Sequence, residues 1–285
     1  MNLAVGFFDG VHLGHRRILT RADAALTFRN HPTTIFAPER APRLLMTPED
    51  RLAAISSALR TPGGAVRALA FTPALAAQEP AAFADWLRAE YPDLDTLLCG
   101  PNWTFGARGA GDADFLRARG FRVETVPFAE QDGEPVSSTR VRAALASGDL
   151  LRATALLGRP WRVVGAVAAG KGLGRTLGFP TLNLRPAEGL VSPPFGVYAV
   201  DTDLGRGVAN WGLAPTMGDR AWREPVLEVH LLEAASGGTP ASGAAFAADL
   251  LAFLRPERTF PDLDSLRAQI ARDVAEARAV GLHSN

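Results

Sequence analysis

One cysteine in 285 residues, Cys99, excludes an intrachain disulfide and a cysteine zinc cluster. Its place in the apolar run Thr96-Leu97-Leu98-Cys99 makes it a packing residue. An excess of one charge is missing too, because 30 Lys and Arg balance 30 Asp and Glu. A neutral chain has no global field to hold a polyanion, which argues against nucleic acid as the main partner. Any phosphate site must therefore be local. No apolar run approaches the roughly 18 residues of a membrane span. The chain opens directly into an apolar run, without a basic stretch or cleavage site, so it reads as cytoplasmic with no signal peptide. No internal repeat is visible.

What is present is an ordinary globular mix, 47% hydrophobic and 21% charged. At roughly 100 to 200 residues per domain the length favours two domains, expected here at 1–150 and 159–285. In the first half, short apolar runs alternate with helical stretches. Leu3 to Phe7, Ala25 to Phe28, Leu97 to Cys99 and Val123 to Phe128 read as strands, and Leu13 to Arg21 as a helix. Thr47-Pro48-Glu49-Asp50 opens another helix with an N-cap, an N1 proline and early acids. That alternation predicts a doubly wound parallel sheet, with ligands beyond the carboxyl ends of its strands. Val141 to Leu157 reads as a linking helix. From Trp161 the texture changes to short Val-rich runs separated by Gly and Pro, as in an antiparallel barrel. Ala234 to Ala245 reads as a loose hairpin loop. Leu263 to Ala279 reads as a final amphipathic helix with Leu266, Ile270 and Val274 on one face.

After the first strand comes Gly6-Phe7-Phe8-Asp9-Gly10-Val11-His12-Leu13-Gly14-His15. Glycines at a strand's end permit a sharp turn and let backbone N–H groups approach a phosphate. His12 and His15 are three apart at a helix start, so both can face one side of its first turn. Gly14 between them leaves room for a nucleotide. Two imidazoles there suit negative charge developing on an α-phosphate as pyrophosphate leaves. The same spacing could ligate a metal, but no third ligand lies nearby in sequence.

This run matches the HxGH signature of nucleotidylyltransferases, and its longer form resembles the bifunctional bacterial riboflavin kinase/FAD synthetases. The resemblance implies a Rossmann-like adenylyltransferase domain, with ATP phosphates held by Gly6, Phe8, Asp9, Gly10 and Gly14. Ser137-Ser138-Thr139-Arg140-Val141-Arg142 resembles the second signature, which implies Ser138 and Thr139 on phosphate oxygens and Arg142 on the β- and γ-phosphates. Gly100 to Gly106 resembles a third, implying Asn102 and Phe105 at the flavin. One departure stands out: where relatives carry an acid before His-Pro, this chain reads Arg29-Asn30-His31-Pro32. The crossover from His15 to Phe28 is also close to the minimum for a βαβ unit.

Gly165 to Lys171 formally fits GxxxxGK, yet Gly172 replaces the Ser or Thr that a P-loop needs, and Pro180 soon follows. The run from Gly170 to Asn183 instead resembles the riboflavin kinase motif. That implies a six-stranded barrel, a phosphate-covering flap with Gly170, Lys171, Gly172, Gly174 and Gly178, and Thr181 and Asn183 as oxygen ligands for Mg²⁺. Gly207 to Gly212 and Pro215 to Gly218 resemble the next two signatures. In Leu227-Glu228-Val229-His230-Leu231, Glu228 and His230 share one face of a strand. A hydroxyl nucleophile needs a base, and the resemblance assigns that role to Glu228. Phe253-Leu254-Arg255-Pro256-Glu257 completes the match, implying Arg255 at the flavin.

The expected activity is thus ATP- and Mg²⁺-dependent conversion of riboflavin to FMN and of FMN to FAD. Three alternatives stay open at this point. The first domain could be structural beside a lone kinase, the chain could bind flavin without turnover, or the first site could serve another phosphate substrate. Glu228 speaks against mere binding, which needs no base.

Overall fold

The computed structural model describes residues 1–168, 181–213, 225–233 and 240–281, which form two compact units, Met1–Ser138 and Thr139–Asn285. In the first the chain runs β1 (Asn2–Val5), α1 (Leu13–Leu19), β2 (Ala24–Phe28), α2 (Thr33–Phe36), α3 (Pro48–Ala58), β3 (Val66–Leu69), α4 (Pro73–Ala76), α5 (Pro80–Glu90), β4 (Thr96–Cys99), α6 (Ala113–Arg117) and β5 (Val123–Thr125). A small hairpin, β6 (Glu130–Gln131) and β7 (Glu134–Pro135), follows. The sheet is parallel in the order β3-β2-β1-β4-β5. Alternation along the central strand explains why it is covered on both faces. Leu3 and Val5 pack with Leu87 of α5 and Leu116 of α6, whereas Ala4 packs with Leu19 of α1 and Ile55 of α3.

The short crossover is sufficient. A seven-residue α1 returns the chain so that Leu3 pairs with Ala24 in parallel. The first strand stops at Val5, short of the expected Phe7, because the backbone swings left-handed at Phe8, with φ 58°. Likewise β5 ends at Thr125, well before Phe128. Thr47 caps α3 as its sequence suggests, accepting the Asp50 amide.

The second unit opens with α7 (Ser138–Ser147), which begins at the division between the units, and α8 (Leu150–Leu157). They are two helices where the sequence suggested one. Gly148 turns left-handed with φ 77° between them, and Asp149 caps α8 by accepting the Arg152 amide. Then follow β8 (Trp161–Ala168), β9 (Thr181–Pro186), β10 (Gly196–Thr202), β11 (Gly205–Leu213), β12 (Pro225–Leu231), β13 (Ala245–Pro256) and α9 (Leu263–Ala279). Among the described residues these strands close a barrel in the order β10-β11-β12-β9-β8-β13. The Ala- and Leu-rich β13 does not read as a strand in sequence. It is one because its first half pairs with β8 and its second with β10, which closes the barrel. Helix α9 packs on the outer face, where Ala277 meets Val197, Ala199 and Val208. Its predicted apolar face holds, and Leu266 and Ile270 line a cavity there. Its most buried positions nonetheless include the polar Gln269 and Asp273.

Candidate active sites

In the first unit, chain order departs from β1 to β2 and β3 on one side and returns to β4 and β5 on the other. The crevice at the carboxyl end of β1 is therefore the switch point where such sheets take ligands. The loop that starts there is strained. Phe8 and Val11 lie at φ 58° and 42° and Gly10 at φ 83°. Non-glycine residues in that region cost about 1–3 kcal/mol each, so the surroundings must over-determine the loop. They do. Both carboxylate oxygens of the buried Asp9 accept the Leu45 amide, at 3.0 and 3.1 Å, and Ser138 Oγ donates to the Asp9 carbonyl at 2.9 Å. Asp9, expected at the phosphates, thus acts on the loop. Ser138 brings the second signature to the first.

His12 closes the start of α1, its Nδ1 accepting the His15 amide at 3.3 Å. An Nδ1 that accepts leaves the proton of a neutral ring on Nε2, the tautomer suited to donating outward. The two imidazoles stack with centroids 3.5 Å apart and planes 17° from parallel. Burial, and then the neighbouring His12, holds His15 well below the ordinary histidine pKa, so His15 is neutral at pH 7. The Phe8 ring meets His15 edge-on at 5.3 Å. Gly14 has another duty than the one expected. A Cβ there would lie 3.2 Å from the His12 ring and 3.5 Å from the Val136 carbonyl, so its bareness serves the imidazole. The Gly6 N–H is likewise engaged, donating to the Leu26 carbonyl at 3.2 Å rather than standing ready for a phosphate.

Beyond β4, Asn102 is exposed. Phe105 is half-buried, its ring packing against Phe83 at 4.8 Å, Trp103 at 4.9 Å and Phe115 at 5.8 Å in an aromatic cluster. Thr139 and Arg142 lie on the first and second turns of α7, exposed and half-buried respectively. At the end of β2, Asn30 uses its amide on Thr34 Oγ1 and the Phe71 backbone. Arg29, in the place of the missing acid, points to solvent. Sequence reasoning passed over Arg51 of α3, which is fully buried with its guanidinium 3.8 Å over the Phe7 ring.

The second site is built by strand register. Glu228 on β12 stands opposite Asn183 of β9 on one side and Asn210 of β11 on the other. Two residues along, His230 stands opposite Thr181 and Val208. Directly opposed side chains lie about 5 Å apart on one face of a sheet, so Asn183, Glu228 and Asn210 form one polar row of a wall and Thr181 and His230 part of the next. Thr181, Asn210, Glu228 and His230 line a cavity of about 630 Å³ beside α9 and the segment from Glu257 to Phe260. Glu257 reaches over it and accepts from Asn210 Nδ2 at 3.0 Å. Gly212 makes space for that carboxylate, since a Cβ there would stand 2.2 Å from Glu257 Oε1.

Asn183 is buried, and its Oδ1 has no hydrogen-bond partner among the described residues. An orphaned amide oxygen beside a hydroxyl suits a hard cation bridged to phosphate. Arg255, by contrast, has every nitrogen engaged. Its Nε and Nη2 grip Asp273 at 2.9 and 2.7 Å, and Nη1 meets the Pro256 carbonyl at 3.1 Å. It is a strut between β13 and α9 that also lines the cavity. Gly170, Lys171, Gly172, Gly174 and Gly178 lie outside the described residues, as do Pro215 to Gly218 and the first half of the expected hairpin loop from Ala234.

With both sites in view, the comparisons agree with them. Residues 1–140 match the family model described as FAD synthetase, and residues 157–281 the one described as riboflavin kinase. A bifunctional riboflavin kinase/FMN adenylyltransferase of Pseudomonas fluorescens is 37% identical, with 98% of this chain and 93% of that one covered. The Escherichia coli K12 protein of the same description is 36% identical over 97% of this chain and 91% of its own. The chain belongs to this bifunctional family. A crystal structure from Streptococcus pneumoniae described as a macrolide-efflux protein shares the fold, with a TM-score of 0.84 at 24% identity, over 98% of this chain and 94% of that one. Among the described residues no helix is long and apolar enough to cross a membrane.

Proposed function

We propose that the chain converts riboflavin to FMN on the barrel and FMN to FAD on the doubly wound unit, using one ATP at each step. The observation that carries this reading is the wall on which Glu228 is flanked by Asn183 and Asn210 at the edge of a closed-over cavity. Glu228 takes the proton of the riboflavin 5′-hydroxyl as that oxygen attacks the γ-phosphorus of ATP, and ADP leaves. Asn210 and Glu257 hold the wall's geometry from the side. Asn183 and Thr181 fit Mg²⁺, which when bound would neutralise phosphate charge.

In the first unit the nucleophile is the phosphate of FMN, already an anion, so no base is required. Its oxygen attacks the α-phosphorus of a second ATP and pyrophosphate leaves. His12 and His15 stabilise the charge that develops there, held in place by the strained loop. Ser138 and Asp9 position that loop, while Thr139 and Arg142 supply polar groups for the remaining phosphates. The expected Mg²⁺ dependence extends to this step.

Chromatography of the products from riboflavin, ATP and Mg²⁺ tests the reading. FMN followed by FAD is the expected outcome. FMN alone would overturn the assignment of the first unit, and unchanged riboflavin that of the barrel.

A further inference from the structure

Arg51 carries a charge without a counter-ion. The side chain is 0% exposed, and arginine stays protonated in proteins even where burial lowers its pKa, as it does here. Nη2 donates to the carbonyls of Phe28 at 2.6 Å and Arg29 at 3.0 Å, where β2 ends. Nε and Nη1 are buried with no hydrogen-bond partner among the described residues. Its cation lies over Phe7, which in turn meets His31 edge-on at 4.7 Å and leads directly into the strained loop. Among the described residues no carboxylate forms an ion pair with it. Asp9 is bonded to the Leu45 amide, and both Asp9 and Glu49 act on the guanidinium only through space. An unpaired buried charge is costly to keep. Here it sits behind the carboxyl ends of β1 and β2, where a doubly wound sheet receives its ligand.

We infer that Arg51 is a positioning residue whose fixed positive charge draws the phosphate-bearing substrates into the first unit's crevice and sets the Phe7 end of the loop. The charge acts from beneath Phe7, without touching substrate. Its place explains how the histidine pair, with His15 neutral and Arg29 exposed, works on two anions at once. This rests on the reading of the first unit as the FMN adenylyltransferase.

Arg51→Gln separates charge from geometry, since it keeps donors for the two carbonyls and removes the cation. The expected result is a rise in KM for FMN and ATP of roughly 10- to 100-fold, the size of one unit charge acting across a few ångströms of protein, with kcat little changed. Added salt should raise KM somewhat more in the wild-type protein than in the Gln variant. Arg51→Lys, which restores the charge, should regain most of the loss. FMN formation by the second unit, measured in the same samples, reports that the protein is intact. A folded Gln variant with wild-type KM overturns the inference, as does a Lys variant as impaired as Gln. Should the Gln variant not fold, the Lys variant decides: wild-type KM and salt dependence support the charge, and a raised KM in folded protein overturns it. Wild-type protein that makes no FAD would overturn the reading of the unit instead.

Discussion

The first unit gathers its site within one loop, whereas the barrel gathers its own from separate strands. In the loop, Phe8, Asp9, His12 and His15 are neighbours in sequence, and their arrangement depends on left-handed backbone held in place by Asp9, Leu45 and Ser138. On the barrel, Asn183, Asn210 and Glu228 are far apart in sequence, and antiparallel register sets them side by side, with Glu257 joined to Asn210 by a hydrogen bond. The chemistry differs in parallel. In the proposed reactions, a loop at a sheet's switch point offers imidazole donors to a nucleophile that is already charged. The strand wall offers a fixed carboxylate to a hydroxyl that must lose a proton. Each unit's site is therefore expected to fail alone.

Glu228→Ala gives the largest separation. FMN formation should fall by roughly 10²- to 10⁴-fold, the usual worth of a positioned base, while FAD synthesis from supplied FMN continues. Loss of both activities together would break the comparison. His12→Ala and His15→Ala should each lower kcat for FAD synthesis by roughly 10²- to 10³-fold and spare FMN formation. Wild-type FAD turnover in both, with the fold checked by circular dichroism, would leave the histidines as a helix cap and its neighbour.

The smallest effect sharpens the contrast through pH. His15 has a folded-state pKa below its unfolded value, so as pH falls through about 6.5 the unfolded chain takes up a proton that the folded chain refuses. Stability of the first unit is then full above that pH. It declines on the acid side at up to about 1.4 kcal/mol per pH unit, until the folded ring is protonated. Thermal melts between pH 7.5 and 5 should show the decline in wild type and a shallower one in His15→Gln. Equal slopes would mean that the ring is not held neutral.

Much of this was legible beforehand, and the reason is locality. The HxGH loop and the Glu228–His230 alternation are patterns within a few residues, and both stand where the sequence puts them. Strand β13 was not legible, because an Ala- and Leu-rich run becomes a strand only when β8 and β10 offer it two edges. The Arg255–Asp273 pairing was not legible, because nothing local to Arg255 announces a partner on α9. The packing of Phe105 was hidden for the same reason, since its partners Phe83 and Phe115 come from α5 and α6.

By itself the sequence determined the two-part organisation, the family, the location of the histidine loop and the choice of Glu228 as base. Apolar periodicity and short motifs act over one or two turns of chain, so they survive reading without a fold. Tertiary structure alone decided that Asp9 holds the loop, that Gly14 and Gly212 clear space for His12 and Glu257, and that Arg51 lies buried without a counter-ion. Those facts depend on which side chains meet across elements, and packing and register set such meetings only once the whole core has closed.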